Sequence, residues 1–379
     1  MDNNKITNIS FKGYDAIPLK AIYMQGIRKR AEKCIFREMK KVLQEEGVDL
    51  FVNSSNINFA QKFEDKPSKT PLSIWAQDNK AFVKNKNGKQ LLWNNKEEVL
   101  TQEQIIPFDD FQINAARFMP KGGDYYLGYK KNGEKWLIIN SVSVSGNGTP
   151  SRFGDLPTND VVRDVLDVKE RNVTKVFNIA RDLDEMIRPV GYPYVLVNDY
   201  TEALNMVEEM HKKFPHSHET YNEMKNFLVK EIEQKDLCGD STEVICERLR
   251  ENNFIPIKIG AHFLNDINFI NAIAFKNKNN NITYISNSTK RSYPELQFLE
   301  HLFDKTLKEK VPNIDSTHYI SGGKRTFDEK YSDSHMNLFG RGLQERNVIM
   351  DILANRLGGI HCMSAEVPDF TKIENSLKK

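Results

Sequence analysis

The chain has 379 residues, and its 54 lysines and arginines nearly balance its 52 aspartates and glutamates, for a formal net charge of +2. This balance argues against a dedicated nucleic-acid binder, which would carry a strongly basic surface. Hydrophobic residues make up 39% of the chain, so it lies outside the disordered range and can bury the core of one large domain or two ordinary ones.

Membrane insertion and structural zinc are also disfavoured by the sequence. No apolar run approaches the ~20 residues of a membrane-spanning helix, and the first 20 residues lack the charged start and apolar centre of a signal peptide. The four cysteines are too scattered for a disulfide framework or for zinc spacing. We therefore predict a cytoplasmic protein, although export by a route without a signal peptide stays open, and buried thiols at Cys34, Cys238 and Cys246.

The N-terminal half is predicted to begin with a helix and to continue in short strands. Residues about 20 to 47 carry apolar side chains at three- and four-residue steps and end at Gly47, which predicts a long amphipathic helix. A hairpin is predicted to turn on Asn132 and Gly133. Strands are predicted in "VDLFV", "AFVK" and "QLLW", and residues 141–160, rich in Gly, Ser, Pro and Asn, are expected at the surface or over a site.

From about residue 173 onward, short strands alternate with single helices. The predicted strands are "TKVFNI", "PYVLVND", "NFIPIKI", "INFINAIAF", "ITYISNS" and "DSTHYIS". The predicted helices are "YTEALNMVEEMHKKF", "HETYNEMKNFLVKEIEQ", "YPELQFLEHLFDKTLKEK" and "RGLQERNVIMDILANRLGG". This rhythm indicates an α/β or α+β architecture.

Cys362 has surroundings unlike those of the other cysteines. It lies in "GGIHCMS", where two glycines let the backbone approach another group closely. The neighbouring His361, Ser364 and backbone amides could favour a thiolate. Spacing alone leaves two interpretations open, a nucleophile and a buried thiol.

Carboxylates form the second candidate feature. Asp78 follows Trp75 in "SIWAQDNKAFV", and Asp182 and Asp184 in "RDLDEM" would point to one side of an extended segment. Two carboxylates aimed into a pocket suit a planar guanidinium, whose N–H groups match carboxylate geometry. A cap or a solvated surface pair is the alternative.

Five motifs, in this order, resemble the guanidine-modifying deiminases of the pentein superfamily: agmatine deiminase, bacterial arginine deiminase and the peptidyl-arginine deiminases. The motifs are "WAQD" from Trp75, "KGGDYYLG" from Lys121, "RDLDEMIRPVGYPYVLVNDY" from Arg181, "NFINA" from Asn268 and "GGIHCMSAEVP" from Gly358. The resemblance implies a pseudo-fivefold α/β propeller of ββαβ units around a central channel. It also implies one catalytic domain over residues 1–379, with the helix of residues about 20–47 packed on it.

The resemblance further implies a reaction that uses no metal and no cofactor. Cys362 would attack the guanidinium carbon of agmatine, arginine or an arginine side chain of a protein, and a thiouronium-type adduct would be hydrolysed to a ureido product after ammonia leaves. Asp78 and Asp184 would hold the guanidinium nitrogens, and Asn271 would lie in the pocket wall. The residues expected to bind substrate are Trp75, Asp78, Asn271 and Gly359, with Gly358 also leaving room.

Asp182 departs from the family pattern, because the relatives have a histidine there for proton transfer. A carboxyl group has an ordinary pKa of about 3.9 against about 6.5 for imidazole, so it is ionised at neutral pH and cannot supply a proton. Three explanations are open: an engineered inactive variant, a natural pseudoenzyme that binds without turnover, or transfer of the role to His262 or His318.

Lys121 is a second departure, since several relatives have glutamate before the glycine pair. A cation there would repel a guanidinium if it faced the pocket, so either Lys121 points away or the substrate carries a carboxylate nearby. The leading hypothesis is a cysteine-dependent deiminase whose catalytic residues are Cys362, Asp182 and Asp184. A guanidinium-binding protein without activity and an amidinotransferase are the alternatives.

Overall fold

The computed structural model describes a large part of the chain, including much of every motif except the first, "WAQD". The described residues are 17–25, 30–53, 80–84, 90–95, 112–116, 122–130, 132–141, 167–178, 182–234, 239–264, 267–289, 294–320, 360–361 and 364–377. The helix predicted in "RGLQERNVIMDILANRLGG" and the segment 142–160 lie outside the described residues.

Short strands and single helices alternate through the described chain. The strands are β1 (Leu19–Gln25), β2 (Asp49–Asn53), β3 (Lys80–Lys84), β4 (Gln90–Asn95), β5 (Gln112–Ala116), β6 (Tyr125–Tyr129), β7 (Lys135–Asn140), β8 (Val173–Val176), β9 (Ile187–Pro189), β10 (Tyr194–Asn198), β11 (Ile255–Ile259), β12 (His262–Leu264), β13 (Ile267–Asn268), β14 (Ile273–Lys276), β15 (Ile282–Asn287), β16 (Ile314–Ile320) and β17 (Ser364–Pro368). The helices are α1 (Arg30–Glu45), α2 (Tyr200–Lys213), α3 (His218–Glu233), α4 (Thr242–Glu251), α5 (Pro294–Lys310) and α6 (Phe370–Leu377).

Five three-stranded sheets repeat one pairing pattern. In each, the central strand pairs antiparallel with one neighbour and parallel with the other. The strand orders are β3-β4-β5, β6-β7-β8, β9-β10-β11, β14-β15-β16 and β17-β1-β2, and β12 and β13 form a separate two-stranded sheet. The predicted mixture of small sheets and helices is confirmed. The described residues show five repeated sheets but no closed sheet.

The predicted helix of residues about 20–47 is wrong at its start. Residues Leu19–Gln25 form β1, the central strand of its sheet, and α1 begins only at Arg30. The side chains of residues 21–24 are all buried, so the apolar steps in "LKAIYM" belong to a strand covered on both faces and not to one face of a helix. The helix does end near Gly47, which has a positive φ of 72°.

Two other predictions are decided by backbone geometry. The hairpin on Asn132 and Gly133 is confirmed, since β6 pairs antiparallel with β7 and Gly133 has a φ of 80°. The single strand predicted in "INFINAIAF" is wrong, because β13 ends at Asn268 and β14 begins at Ile273. Asn268 Oδ1 accepts hydrogen bonds from the N–H groups of Ile270 and Asn271, which bends the chain between the two strands.

The main core lies between the sheets and helices of residues 126–311, and a smaller one surrounds α1 and β1. Cys246 is buried in the main core, as predicted, and its burial raises the pKa of the thiol. The side chains of Cys34 and Cys238 lie outside the described residues. Within the described ranges, no helix has the length and apolar character needed to cross a membrane.

Candidate active site

Two short turns bring the carboxylates of Asp182 and Asp184 over one glycine. The 3₁₀ turn Leu183–Glu185 packs against the 3₁₀ turn Gly122–Asp124. A Cβ added to Gly123 would lie 3.0 Å from Asp184 Oδ1 and 3.2 Å from Asp182 Oδ2. Both oxygens therefore face the space above Gly123, and only a residue without a side chain leaves that space open.

The second turn is anchored by its own aspartate. Asn140, at the end of β7, donates from Nδ2 to Asp124 Oδ1 over 2.9 Å and to the carbonyl of Asn178 over 2.8 Å. The N–H group of Asn178 donates back to Asn140 Oδ1 over 3.2 Å. These buried bonds hold the turn containing Gly123 against the ends of β7 and β8.

Asp184, Asn271 and His361 form a closed triangle of hydrogen bonds. Asn271 Nδ2 donates to Asp184 Oδ2 over 2.9 Å, and His361 Nδ1 lies 3.1 Å from the same oxygen. The backbone N–H of His361 donates to Asn271 Oδ1 over 3.1 Å. At most 3% of each of these residues is exposed, so the triangle fixes the peptide between Ile360 and His361 relative to the Asp184 carboxylate.

Two further asparagines extend this network through the backbone. Asn268 Nδ2 donates to the carbonyl of Glu185 over 3.3 Å, which ties the bend after β13 to the Leu183–Glu185 turn. Asn287 donates to the carbonyl of Asn268 over 3.0 Å and accepts from the N–H of Ile360 over 2.9 Å. Four separate segments of the chain are thus held together by buried amide side chains.

A second buried cluster lies further along the strands. Arg188, in β9, pairs with Glu366, in β17, through an Nη2 to Oε1 distance of 2.6 Å. The guanidinium carbon of Arg188 lies 5.3 Å from the ring centre of Tyr126, whose hydroxyl donates to the carbonyl of Ile187. We call Asp182, Asp184, Asn271 and His361 the carboxylate cluster and Tyr126, Arg188 and Glu366 the arginine cluster.

His361 joins the two clusters. Its ring stacks on Tyr126 with centres 5.7 Å apart, and its Nε2 lies 3.9 Å from Glu366 Oε1. Burial, followed by the charge of Arg188, holds the pKa of His361 well below its usual value, although Glu366 acts in the opposite direction. The imidazole is therefore neutral at physiological pH.

The structure brings Asp184 next to Asn271, and Asp182 and Asp184 next to Gly123, but not by the local geometry that the sequence predicts. Asp182 and Asp184 do not lie on an extended segment, since Asp184 is inside a 3₁₀ turn and Asp182 precedes it. The two carboxylates point to the same side because the chain turns tightly between them. The alternation of side chains along a strand does not apply to such a turn. The remaining predicted site residues lie outside the described residues: Trp75, Asp78, Lys121, Gly358, Gly359 and Cys362.

Neither alternative histidine is found among the described contacts of the carboxylate cluster. The ring of His262 packs against Tyr200 and Phe227, with centres 6.0 and 5.3 Å apart. His318 Nε2 lies 3.7 Å from Glu46 Oε1. His262 is thus packed among aromatic rings and His318 lies beside a glutamate, and neither described environment supports the idea that it takes over proton transfer.

Sequence reasoning missed several residues that build the site. The motif around Gly123 gives this glycine no role by itself, and the sequence indicates His361 only as a neighbour of Cys362. Arg188 and Glu366 were not identified because a charged residue inside a short strand gives no sequence signal of burial. Asn268 and Asn287, each at the end of a strand before a bend, carried the clearest signal available.

The described residues offer no metal site, since no group of three or more His, Cys, Asp or Glu side chains among them is arranged to hold an ion. The described site is instead a buried Asp184 carboxylate held by the amide of Asn271 and the imidazole of His361, with the Asp182 carboxylate beside it at Gly123. Such an arrangement can bind a planar cation through charge-assisted hydrogen bonds.

Comparison with solved structures shows which known fold this is. An agmatine deiminase from C. jejuni is 12% identical with a TM-score of 0.52, over 96% of this chain and 99% of that one. An X-ray structure from a structural genomics programme, assigned as an agmatine deiminase, is also 12% identical with a TM-score of 0.51, over 93% and 94% of the two chains. At this identity the likeness shows the fold, and it confirms the predicted resemblance to the pentein superfamily at that level.

Comparisons by sequence alone find nothing similar. No protein-family model matches the chain, and no curated protein matches it significantly.

Proposed function

We propose that this protein is a cysteine-dependent deiminase, a hydrolase that acts on the C–N bond of a guanidinium group. The observation that carries the proposal is that His361, the residue before Cys362, is hydrogen-bonded to Asp184 while Asp184 and Asp182 both face the space above Gly123. Two carboxylates on one small space suit a guanidinium because they attract the cation, and Cys362, next to His361 in the chain, is the thiol that we propose attacks its central carbon.

The substrate class we propose is a guanidine of the agmatine or arginine type, including an arginine side chain of a protein. The similar solved structures are described as agmatine deiminases, which favours a small guanidine as the first substrate to test. The repeated sheet pattern supports a single domain in which five sheets surround one axis as a propeller, with the carboxylate cluster at one end of the central channel.

The proposed reaction proceeds in two stages. The Cys362 thiolate attacks the guanidinium carbon to form a C–S bond and a tetrahedral centre, and the C–N bond to one terminal nitrogen then breaks as that nitrogen takes up a proton and leaves as ammonia. Water next attacks the same carbon, loses protons, and displaces the thiolate to give a ureido product. Asp78 and Asp184 hold the remaining nitrogens.

Asp182 is the weak element of this proposal, because both stages need a group that can donate and accept protons. Loss of a general acid–base typically lowers the rate by ~10²–10⁴-fold. Aspartate at position 182, in place of the histidine of the relatives, favours the second candidate function, a guanidinium-binding protein without turnover. An amidinotransferase would use the same cysteine but pass the amidino group to an amine.

The test is product formation from agmatine, arginine and an arginine-containing peptide, comparing the protein with Asp182→His and Cys362→Ala. We expect ammonia and a ureido product that rise about 10²-fold or more with histidine at 182 and disappear without Cys362. If the histidine variant stays inert on all three compounds but still binds them, the binding protein is the correct function. A new guanidino product that requires an added amine would identify an amidinotransferase.

A further inference from the structure

His361 is held from four sides by described residues. Its backbone N–H bonds to Asn271, its Nδ1 lies beside Asp184, its ring stacks on Tyr126, and its Nε2 faces Glu366. Only 3% of the residue is exposed. The ring therefore has one orientation, and it cannot turn toward a ligand without breaking several of these contacts.

This orientation assigns the imidazole proton to one nitrogen. A neutral imidazole has a single N–H group, and an ionised carboxylate can only accept hydrogen bonds. The 3.1 Å contact with Asp184 Oδ2 thus requires the proton on Nδ1. Arg188 supports the neutral state, since it binds Glu366 at 2.6 Å and places its own positive charge near the ring.

The imidazole acts on one particular oxygen of Asp184. Oδ2 accepts from both Asn271 Nδ2 and His361 Nδ1, whereas Oδ1 lies toward Gly123 and the space shared with Asp182. Two donors on one oxygen fix the torsion of the carboxylate. They therefore fix where its other oxygen points.

We propose that His361 is a positioning residue, which acts through Asp184: with Asn271 it anchors Oδ2 so that Oδ1 is presented to a guanidinium above Gly123. This inference rests on the proposed function and deepens it. His361 itself does not touch the substrate in this arrangement, so it is not a replacement for the histidine missing at 182.

The test is binding of agmatine, arginine and an arginine-containing peptide by calorimetry, in a Cys362→Ala background that prevents turnover. His361→Ala removes the ring, whereas His361→Asn keeps an N–H donor at the position of Nδ1. His301→Ala, on the exposed face of α5, is the matched control. We expect binding to weaken about tenfold or more with alanine, to stay within about threefold with asparagine, and to be unchanged in the control.

The outcomes separate this inference from the proposed function. If the parent binds a guanidine and His361→Ala binds it equally well, or if asparagine is as poor as alanine while both variants unfold like the parent, the positioning role is overturned and the proposed function stands. If the parent binds none of the compounds, the proposed function and the binding role are both overturned. Nitrogen NMR of ¹⁵N-histidine-labelled protein adds a readout independent of ligand, since a ring protonated on Nε2 and not on Nδ1 would also overturn the inference.

Discussion

The carboxylate cluster lies in turns that precede strands, and the arginine cluster lies on the strands β6, β9 and β17, but the two clusters accommodate charge in opposite ways. Glu366 is paired with a cation of the protein itself, Arg188. Asp184 is held by an amide and a neutral imidazole, which donate hydrogen bonds without cancelling its charge. The difference teaches that the arginine cluster forms its own ion pair, whereas the hydrogen bonds described for Asp184 in the carboxylate cluster come from neutral donors, which suits a cationic ligand.

The largest change in free energy among the variants that test this difference between the clusters should come from Arg188→Met. Removal of the cation leaves Glu366 without its ion-pair partner, and breaking a buried pair costs about 3–5 kcal/mol. Because 27% of the Glu366 side chain is exposed, we expect a loss near the lower limit, about 3 kcal/mol in the free energy of unfolding. Urea unfolding measures it.

The matched control for that variant is Lys308→Met. Lys308 pairs with Asp304 on the surface of α5, with 46% and 22% of the two side chains exposed, so its loss should cost less than about 1 kcal/mol. Equal losses in the two variants would mean that the arginine cluster is not a structural unit.

Asp184→Asn should leave folding largely intact and damage binding. The amide keeps the shape of the side chain but removes the charge that attracts a guanidinium, so we expect affinity to fall about 10²-fold. Calorimetry with agmatine in the Cys362→Ala background gives the value, and Asp304→Asn serves as the control. An unchanged affinity would show that Asp184 does not bind the cation.

Gly123→Ala narrows the space between the carboxylates. Its Cβ would meet Asp184 Oδ1 at 3.0 Å and Asp182 Cβ at 3.1 Å, which is tighter than ordinary contact. Overpacking of this kind typically costs about 1–3 kcal/mol. Because the added methyl group would displace the two carboxylates that face the ligand, we expect binding to weaken roughly tenfold or more. The combined variant Gly123→Ala with Asp182→Ala should recover part of the loss, and no recovery would place the obstruction elsewhere.

The smallest effect concerns pH. In the unfolded chain a histidine takes up a proton near pH 6.5, but folded His361 resists it because its pKa is lowered by burial and by Arg188. The unfolded state thus binds more protons as the pH falls below about 6.5, and stability decreases by at most about 1.4 kcal/mol per pH unit for this one group. Between pH 5 and 7, the free energy of unfolding should depend less steeply on pH for His361→Asn than for the parent. Equal slopes for the two proteins would contradict the neutral state of His361.

Strands and helices of the second half follow closely from the sequence because their apolar periodicity matches how each element is buried. "PYVLVND" becomes β10, the central strand between β9 and β11, and its side chains from Val195 to Asn198 are buried. β1 was mistaken for helix because an apolar strand covered on both faces has no alternation to identify it. Pattern alone cannot resolve that ambiguity, since pairing partners lie far away in the sequence.

Only part of the candidate site can be predicted from the sequence, again because some of its contacts join residues far apart in the chain. Asp184 and Asn271 lie within motifs that resemble known enzymes, so their proximity could be anticipated. The pairing of Arg188 with Glu366 could not, because they are 178 positions apart in the chain and the resemblance gives neither residue a role, although each lies within one of the motifs. Contacts of this length depend on the arrangement of whole sheets, which local sequence does not encode.

The pairing of β1 with β17 has a consequence for how the protein matures. Residues 19–24 of β1 bond to residues 364–368, so this sheet draws its strands from both ends of the described chain. During synthesis β1 and β2 leave the ribosome early, but β17 emerges only after all the other strands described above. His361 lies just before β17. The nascent chain therefore cannot complete the carboxylate cluster, to which His361 belongs, until translation has passed this part of the chain.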